Sequence, residues 1–341
     1  MSYPAQGFPG FGRRRAPSPT AREWRRHALL FLLTALTAAW GGTTLSVLAS
    51  GAFESLSPAA PVSPLDYALY VPRVFILETV SVAAHALANP AHLAGGALFA
   101  AALLFILLAH EAGHYVACRL YGVEATLPFF IPMPPPFIAG TLGAFIKIKS
   151  PIPTRRALFD IGVAGPLAGF AALVPVAVGG LLMAAPPEIA PPADGGGIYF
   201  NDQPLVRLLA LLLGVENLEG MSTNPLSFAA WIGLLVTSLN LLPVGQLDGG
   251  HATYALFGRR AHALVGRFAF FSMLTLAPLG WLWHGAPSGF LYAALLFVML
   301  RVRHPQTETD DGGLGRARAL VALVTLLVFA LSFTPFPLTI K

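Results

Sequence analysis

The sequence predicts an all-α integral membrane protein of about six to seven transmembrane helices, with one short membrane-associated β-hairpin. Of the 341 residues, 55% are hydrophobic and 11% charged, and the mean hydropathy is +0.68; soluble domains carry about 25% charged residues. The apolar residues are gathered into runs, several longer than the roughly 18 to 20 residues that cross a hydrocarbon core. Between two of those runs lies a proline-rich stretch whose end alternates apolar and basic residues, the period of a half-buried strand.

Residues 1–26 are polar and rich in Pro and Arg, and a disordered cytoplasmic tail is expected there. The first span covers 27–50. Arg25 and Arg26 precede it as they would a signal peptide, but the run is too long and lacks a small-residue cleavage site, so a retained anchor is expected. A membrane core is expected over 91–256, with spans near 91–117, 157–185 and 226–256. Between the first two of these, residues 123–153 hold prolines from Pro128 to Pro153 that exclude a continuous helix. Gly140 to Lys149 ends in Phe-Ile-Lys-Ile-Lys, which predicts a hairpin dipping beside the bundle, where its backbone must pair with itself or line a cavity. Residues 186–225 read as an outer loop, with an apolar piece at 204–213 lying along the outer surface. C-terminal helices are expected over 257–341, near 262–283, 287–300 and 318–336.

Basic residues set the orientation. In a seven-span arrangement, eighteen of the 21 Lys and Arg residues fall on one side, leaving Arg73, Arg207 and Lys341 opposite. The positive-inside rule makes the richer side cytoplasmic. The Ala-, Gly- and Arg-rich composition points to a bacterial cytoplasmic membrane. The net charge of +5 is spent at the ends of spans, and no basic face interleaved with aromatics offers itself to nucleic acid. The single cysteine, Cys118, excludes an internal disulfide framework and a cysteine-rich zinc site.

The chemical signal is His110-Glu111-Ala112-Gly113-His114, at the inner end of the run Leu103 to Ala109. Positions i and i+4 of a helix share a face, so both imidazoles can reach one zinc ion. Glu111 projects at another angle, towards a water on that metal, as a base. Ionisable groups at membrane depth cost several kcal/mol unless paired or metal-bound, which argues against two idle interfacial histidines. A catalytic zinc takes three protein ligands. Asp248, an acid in the apolar span 226–256, is the preferred third. Pro243, Gly245, Gly249 and Gly250 would kink that helix and let the carboxylate approach. His251 is the alternative ligand, and a solvent-facing helix C-cap is the ordinary reading of Asp248.

With these pieces the chain resembles the site-2 protease family of intramembrane zinc metalloproteases, the M50 type. The matching residues are His110 to His114, Asn240-Leu-Leu-Pro243 and Leu247-Asp248-Gly249-Gly250. Gly140-Thr-Leu-Gly-Ala144 in the loop and Ala164-Gly-Pro-Leu-Ala-Gly169 in the span 157–185 agree too. The resemblance makes 91–256 the catalytic core and implies one Zn2+ held by His110, His114 and Asp248, with Glu111 as catalytic base. It implies that Asn240 holds the substrate carbonyl or the developing oxyanion; an interhelical hydrogen bond is the plainer role for that amide. Gly165 and Gly169 read as close helix packing. No soluble insert is long enough for a PDZ or CBS domain, so the likeness is to the compact, EGY-like branch. The implied substrates are single-span membrane proteins or signal-peptide remnants in the lipid bilayer, and the hairpin is suited to accept one by strand addition. The alternative from another class is a polytopic metal-ion transporter. Against it, His85, His92, His262, His284 and His304 are scattered at span ends, and a carrier has no need of Glu111. An inactive scaffold is disfavoured because no residue required for the chemistry is missing.

Overall fold

The computed structural model describes residues 17–50, 63–135, 137–185, 198–215, 224–302 and 313–340, together with 307 and 309. Among the described residues five helices are long and apolar enough to cross a membrane: α1 (Ala21–Ala49), α3 (Ala91–Leu120), α4 (Arg155–Leu182), α7 (Asp248–His284) and α9 (Gly315–Ser332). The shorter apolar helices α6 (Pro225–Asn240) and α8 (Ser288–Arg301) complete the bundle. Helix α2 (Pro64–Ala88) lies between α1 and α3, and α5 (Pro204–Leu213) follows α4. The protein is thus an all-α membrane protein with two very small sheets.

Helices α3, α4 and α6 form the centre of the bundle, sealed by Phe99, Leu103, Leu173 and Leu234, all fully buried. The α3–α4 contact is unusually close because it is lined by small residues. A Cβ on Gly113 would lie 2.4 Å from the Ala164 carbonyl oxygen. Helix α1 packs on α3 in the same way: a Cβ on Gly96 would fall 2.2 Å from Thr43 Oγ1. With lipid on the outside, such backbone approach replaces the hydrophobic drive as the source of helix association.

The hairpin forms from β1 (Phe129–Pro132) and β2 (Thr141–Phe145), antiparallel, with Phe129 opposite Phe145 and Pro132 opposite Thr141. The pairing continues irregularly to the base, where Lys149 N–H donates to Glu124 O at 2.7 Å. The hairpin climbs along α1. His27 Nδ1 is 2.9 Å from Pro128 O near the inner end, and Thr37 Oγ1 donates to Gly140 O at 2.6 Å. A Cβ on Gly41 would sit 2.0 Å from Ile138 O. Fourteen helical residues separate His27 from Gly41, about 21 Å of rise. Non-helical backbone at that depth is tolerated because its groups pair within the hairpin and against α1.

The second sheet pairs β3 (Ile198–Phe200) with β4 (Leu338–Ile340). It ties the end of α9 to the connection between α4 and α6 and places both on one side of the membrane. The number of crossings between Phe200 and Leu338 is therefore even.

Several expectations need correction. Thr20 caps α1 through a reciprocal pair with Glu23, so residues 21–26 are helix rather than disordered tail; residues 1–16 lie outside the described residues. Helix α2 occupies a region to which no span was assigned. The stretch 226–256 is not one kinked helix: α6 ends at Asn240, and Asp248 opens α7. Asp248 is thus at a helix N-terminus, the opposite of a C-cap. Helix α7 is itself two helices. Gly258 has φ 79° and ψ 179°, a conformation open essentially to glycine alone. Cβ atoms on Gly250 and Gly266 would both lie within 4 Å of Val244, although sixteen straight helical residues would hold them about 24 Å apart. The chain folds back at Gly258. Of the expected outer loop 186–225, residues 186–197 and 216–223 lie outside the described residues.

Candidate metal centre

The centre is assembled from four separate segments. Helix α3 carries His110, Glu111 and His114, buried at 5%, 5% and 7% exposure. Helix α4 lies against them and offers two gaps. A Cβ on Gly165 would be 2.1 Å from His114 Nε2, and one on Gly169 would be 3.0 Å from His110 Cβ. The close packing read from Gly165 and Gly169 is therefore packing against the two imidazoles themselves. Alanine at position 165 would occupy space that the His114 imidazole now fills, whereas at 169 it would only crowd His110.

The segment Leu241–Leu247 between α6 and α7 turns tightly, with Leu247 N–H bonding Val244 O. The turn needs three glycines. Gly245 has φ 57°, and Cβ atoms on Gly249 and Gly250 would meet Leu241 O at 2.0 Å and Gly245 O at 2.5 Å. It lays Asp248 directly under the imidazoles. Asp248 Oδ2 stands 3.4 Å from His110 Nε2 and 3.3 Å from His114 Nε2, while the two Nε2 atoms are 3.1 Å apart.

These three distances are the fit test for a metal. His114 Nδ1–H donates to Ile161 O at 2.8 Å; a carbonyl can only accept, so Nδ1 carries a proton and Nε2 is the nitrogen turned to the centre. Two imidazole nitrogens and a carboxylate oxygen thus face one point, a donor set that suits a metal cation. Ligands about 2.0 to 2.1 Å from a tetrahedral zinc ion lie about 3.3 Å from one another. The triangle of His110, His114 and Asp248 has that edge, and among the described residues it is a group able to hold a metal ion.

Glu111 Oε1 is 3.9 Å from His110 Nε2, and the Ile146 backbone at the end of the hairpin lies beside its carboxylate. Asn240, the last residue of α6, has Nδ2 3.3 Å from His110 Nε2. All five residues singled out in the sequence are thus brought together. His251 is one turn further along α7, its Cβ against Gly162 of α4. What the sequence reading missed is the Ile146 backbone beside Glu111 and the Ile161 carbonyl that receives His114. Both are backbone groups with no residue-type signature.

The centre lies below the surface that bears the basic residues. Asp248 is ten helical residues from the turn at Gly258, about 15 Å, and Arg259 and Arg260 follow that turn directly.

Residues 98–276 match the peptidase family M50. The rice protein described as probable zinc metalloprotease EGY1, chloroplastic (Oryza sativa subsp. japonica) is 35% identical over 237 residues, covering 67% of this chain and 39% of that protein. Probable zinc metalloprotease EGY2, chloroplastic, of Arabidopsis thaliana is 32% identical over 255 residues, 70% of this chain and 42% of its own length. Probable zinc metallopeptidase EGY3, chloroplastic, of the same plant is 31% identical over 200 residues, 52% and 32% respectively. The matched stretches amount to about two-fifths of the length of the first of these relatives. No solved structure matches. The relatives are chloroplastic by name, so they lend no support to the bacterial cytoplasmic membrane expected from composition.

Proposed function

The chain belongs to peptidase family M50, and from that membership we propose that it is a zinc metalloprotease that hydrolyses peptide bonds of membrane proteins within the bilayer. The observation that carries this reading is the triangle of 3.1, 3.3 and 3.4 Å between His110 Nε2, His114 Nε2 and Asp248 Oδ2. It is buried in the membrane half of α3 and backed by glycines that leave room for the rings.

His110, His114 and Asp248 would hold one zinc ion. Bound there, zinc acidifies water and polarises the scissile carbonyl. Glu111, beside His110 and the Ile146 backbone, takes the proton of the attacking water and passes it to the departing amine. Asn240 presents amide N–H donors at the same point, where they stabilise negative charge on the carbonyl oxygen. A helical substrate hides its carbonyls and must unwind before attack. The hairpin supports strand addition as the way to hold the unwound segment, because β2 pairs with β1 on one edge and ends beside Glu111. The substrates in this reading are single-span proteins or signal-peptide remnants, reached from the side that bears the basic loops.

A metal carrier would need ligands along a path. Other histidines bond locally instead: His92 to Ser46 at 3.0 Å, His85 to Ser81 O at 2.8 Å and His284 to Thr339 at 3.0 Å.

The test compares wild type with Glu111→Gln, purified in detergent, for zinc content and cleavage of a single-span model substrate. The variant is expected to keep its zinc and lose at least about 100-fold in rate, the lower range for a removed general base. Cleavage that survives the substitution with zinc still bound would overturn the mechanism.

A further inference from the structure

Outside the centre, one cluster of charged and phenolic side chains joins three helices on the same side of the membrane. Arg318 of α9 grips Asp160 of α4 with both nitrogens, Nε to Oδ1 at 2.9 Å and Nη2 to Oδ2 at 2.7 Å. Tyr121, at the C-terminal cap of α3, donates its hydroxyl to the same Asp160 oxygen and receives Arg318 Nη2 at 3.1 Å. The side chains of Arg318 and Asp160 are each just under one-third exposed. Burial, and then the neighbouring carboxylate, push the Tyr121 phenol above its ordinary pKa, so it stays a donor. Leu314 and Val321 of the α9 segment pack beside this cluster on the core of Cys118, Leu158 and Ile161.

Asp160 is adjacent to Ile161, whose carbonyl accepts the His114 Nδ1–H. Resting on the metal-centre reading above, we propose that Tyr121, Asp160 and Arg318 are positioning residues that fix the axial register of α4 against α3 and so aim the His114 imidazole. The physical need comes from the glycine-lined interface. Gly113 against Ala164, Gly165 against His114 and Gly169 against His110 allow the helices to approach closely, but these are packing contacts with no directional bond of their own. A bidentate guanidinium–carboxylate pair is directional. It sets the height of residue 160, and with it the carbonyl one residue along, to within hydrogen-bond tolerance. Orientation of a ligand imidazole by its second nitrogen is worth about 10- to 100-fold in metal affinity. Arg318 lies outside the family match of 98–276, so this lock brings α9 into the service of a centre built by α3, α4 and α7.

The test uses the full chain in detergent with cobalt(II) in place of zinc, whose visible absorption reports ligand geometry. Arg318→Met and Asp160→Asn are expected to shift that absorption, to speed cobalt loss to a chelator by about 10-fold or more, and to lower kcat with KM little changed. The double variant is expected to be no worse than either single one, because both break one interaction. Arg318→Lys keeps the charge without the fork and is expected to recover part of the loss. Tyr121→Phe removes one hydroxyl and provides a gentler arm should the charge variants fail to fold. Unchanged spectra and chelator kinetics beside a lowered Tm leave the centre standing and overturn the proposal. A wild-type chain that takes up no cobalt removes the centre and the proposal together.

Discussion

Gly165 is the residue on which the centre leans most without contributing a ligand. A methyl group there would lie 2.1 Å from His114 Nε2, inside any van der Waals contact, and His114 is boxed in by its bond to Ile161 O. Gly165→Ala is expected to displace the imidazole and abolish stoichiometric zinc, read by metal analysis of the purified protein. Gly169→Ala meets His110 Cβ at 3.0 Å, a distance a small shift relieves, and is expected to keep most of its metal. Equal zinc in both variants would refute this account of the α4 glycines. Asp248→Asn is expected to lose zinc as well, since an amide is a poor substitute for a carboxylate donor. The five site residues were legible in the sequence because each is chemically distinctive: two imidazoles at helical spacing, a carboxylate between them, and an acid and an amide in apolar surroundings. The Ile146 backbone beside Glu111 and the Ile161 carbonyl that receives His114 were not legible, since a backbone group is common to every residue and only the fold selects which one is used.

At the scale of elements, hydropathy located the long helices but not the path between α6 and α8. Residues 226–256 read as one apolar run because a run carries no mark of direction. Proline and glycine signalled a break, yet the reversal at Gly258 depends on a backbone angle and not on hydrophobicity. That angle makes a clean prediction. Nothing lies within 4 Å of a Cβ on Gly258, so Gly258→Ala meets no obstacle and suffers only backbone strain, of order 1 to 3 kcal/mol. A lower Tm with zinc content unchanged is the expected result, measured by thermal unfolding in detergent. An unaltered Tm would mean that the two halves of α7 do not turn there. The short strands were only partly legible: the alternation at 145–149 marked the hairpin's base, while β3 and β4 are three residues each and too brief to show a period.

For the whole molecule, the β3–β4 pairing fixes which ends share a side, and this is testable without knowing any substrate. The single native cysteine, Cys118, is buried, so introduced cysteines report cleanly. Cysteines at Tyr199 and Ile340 are expected to react with an impermeant thiol reagent from one side of sealed vesicles, and one at Arg260 from the other. Labelling of all three from one side would refute the seven-crossing arrangement. A last consequence concerns α1. It contributes none of the five residues that converge at the centre, yet Thr37 and Gly41 seat the tip of the hairpin whose far end lies beside Glu111. Genetic selection for loss of proteolysis is therefore expected to return lesions at Gly41 as readily as at the histidines. Those chains would be full-length and zinc-replete, and inert because a remote ledge no longer holds the hairpin against Glu111.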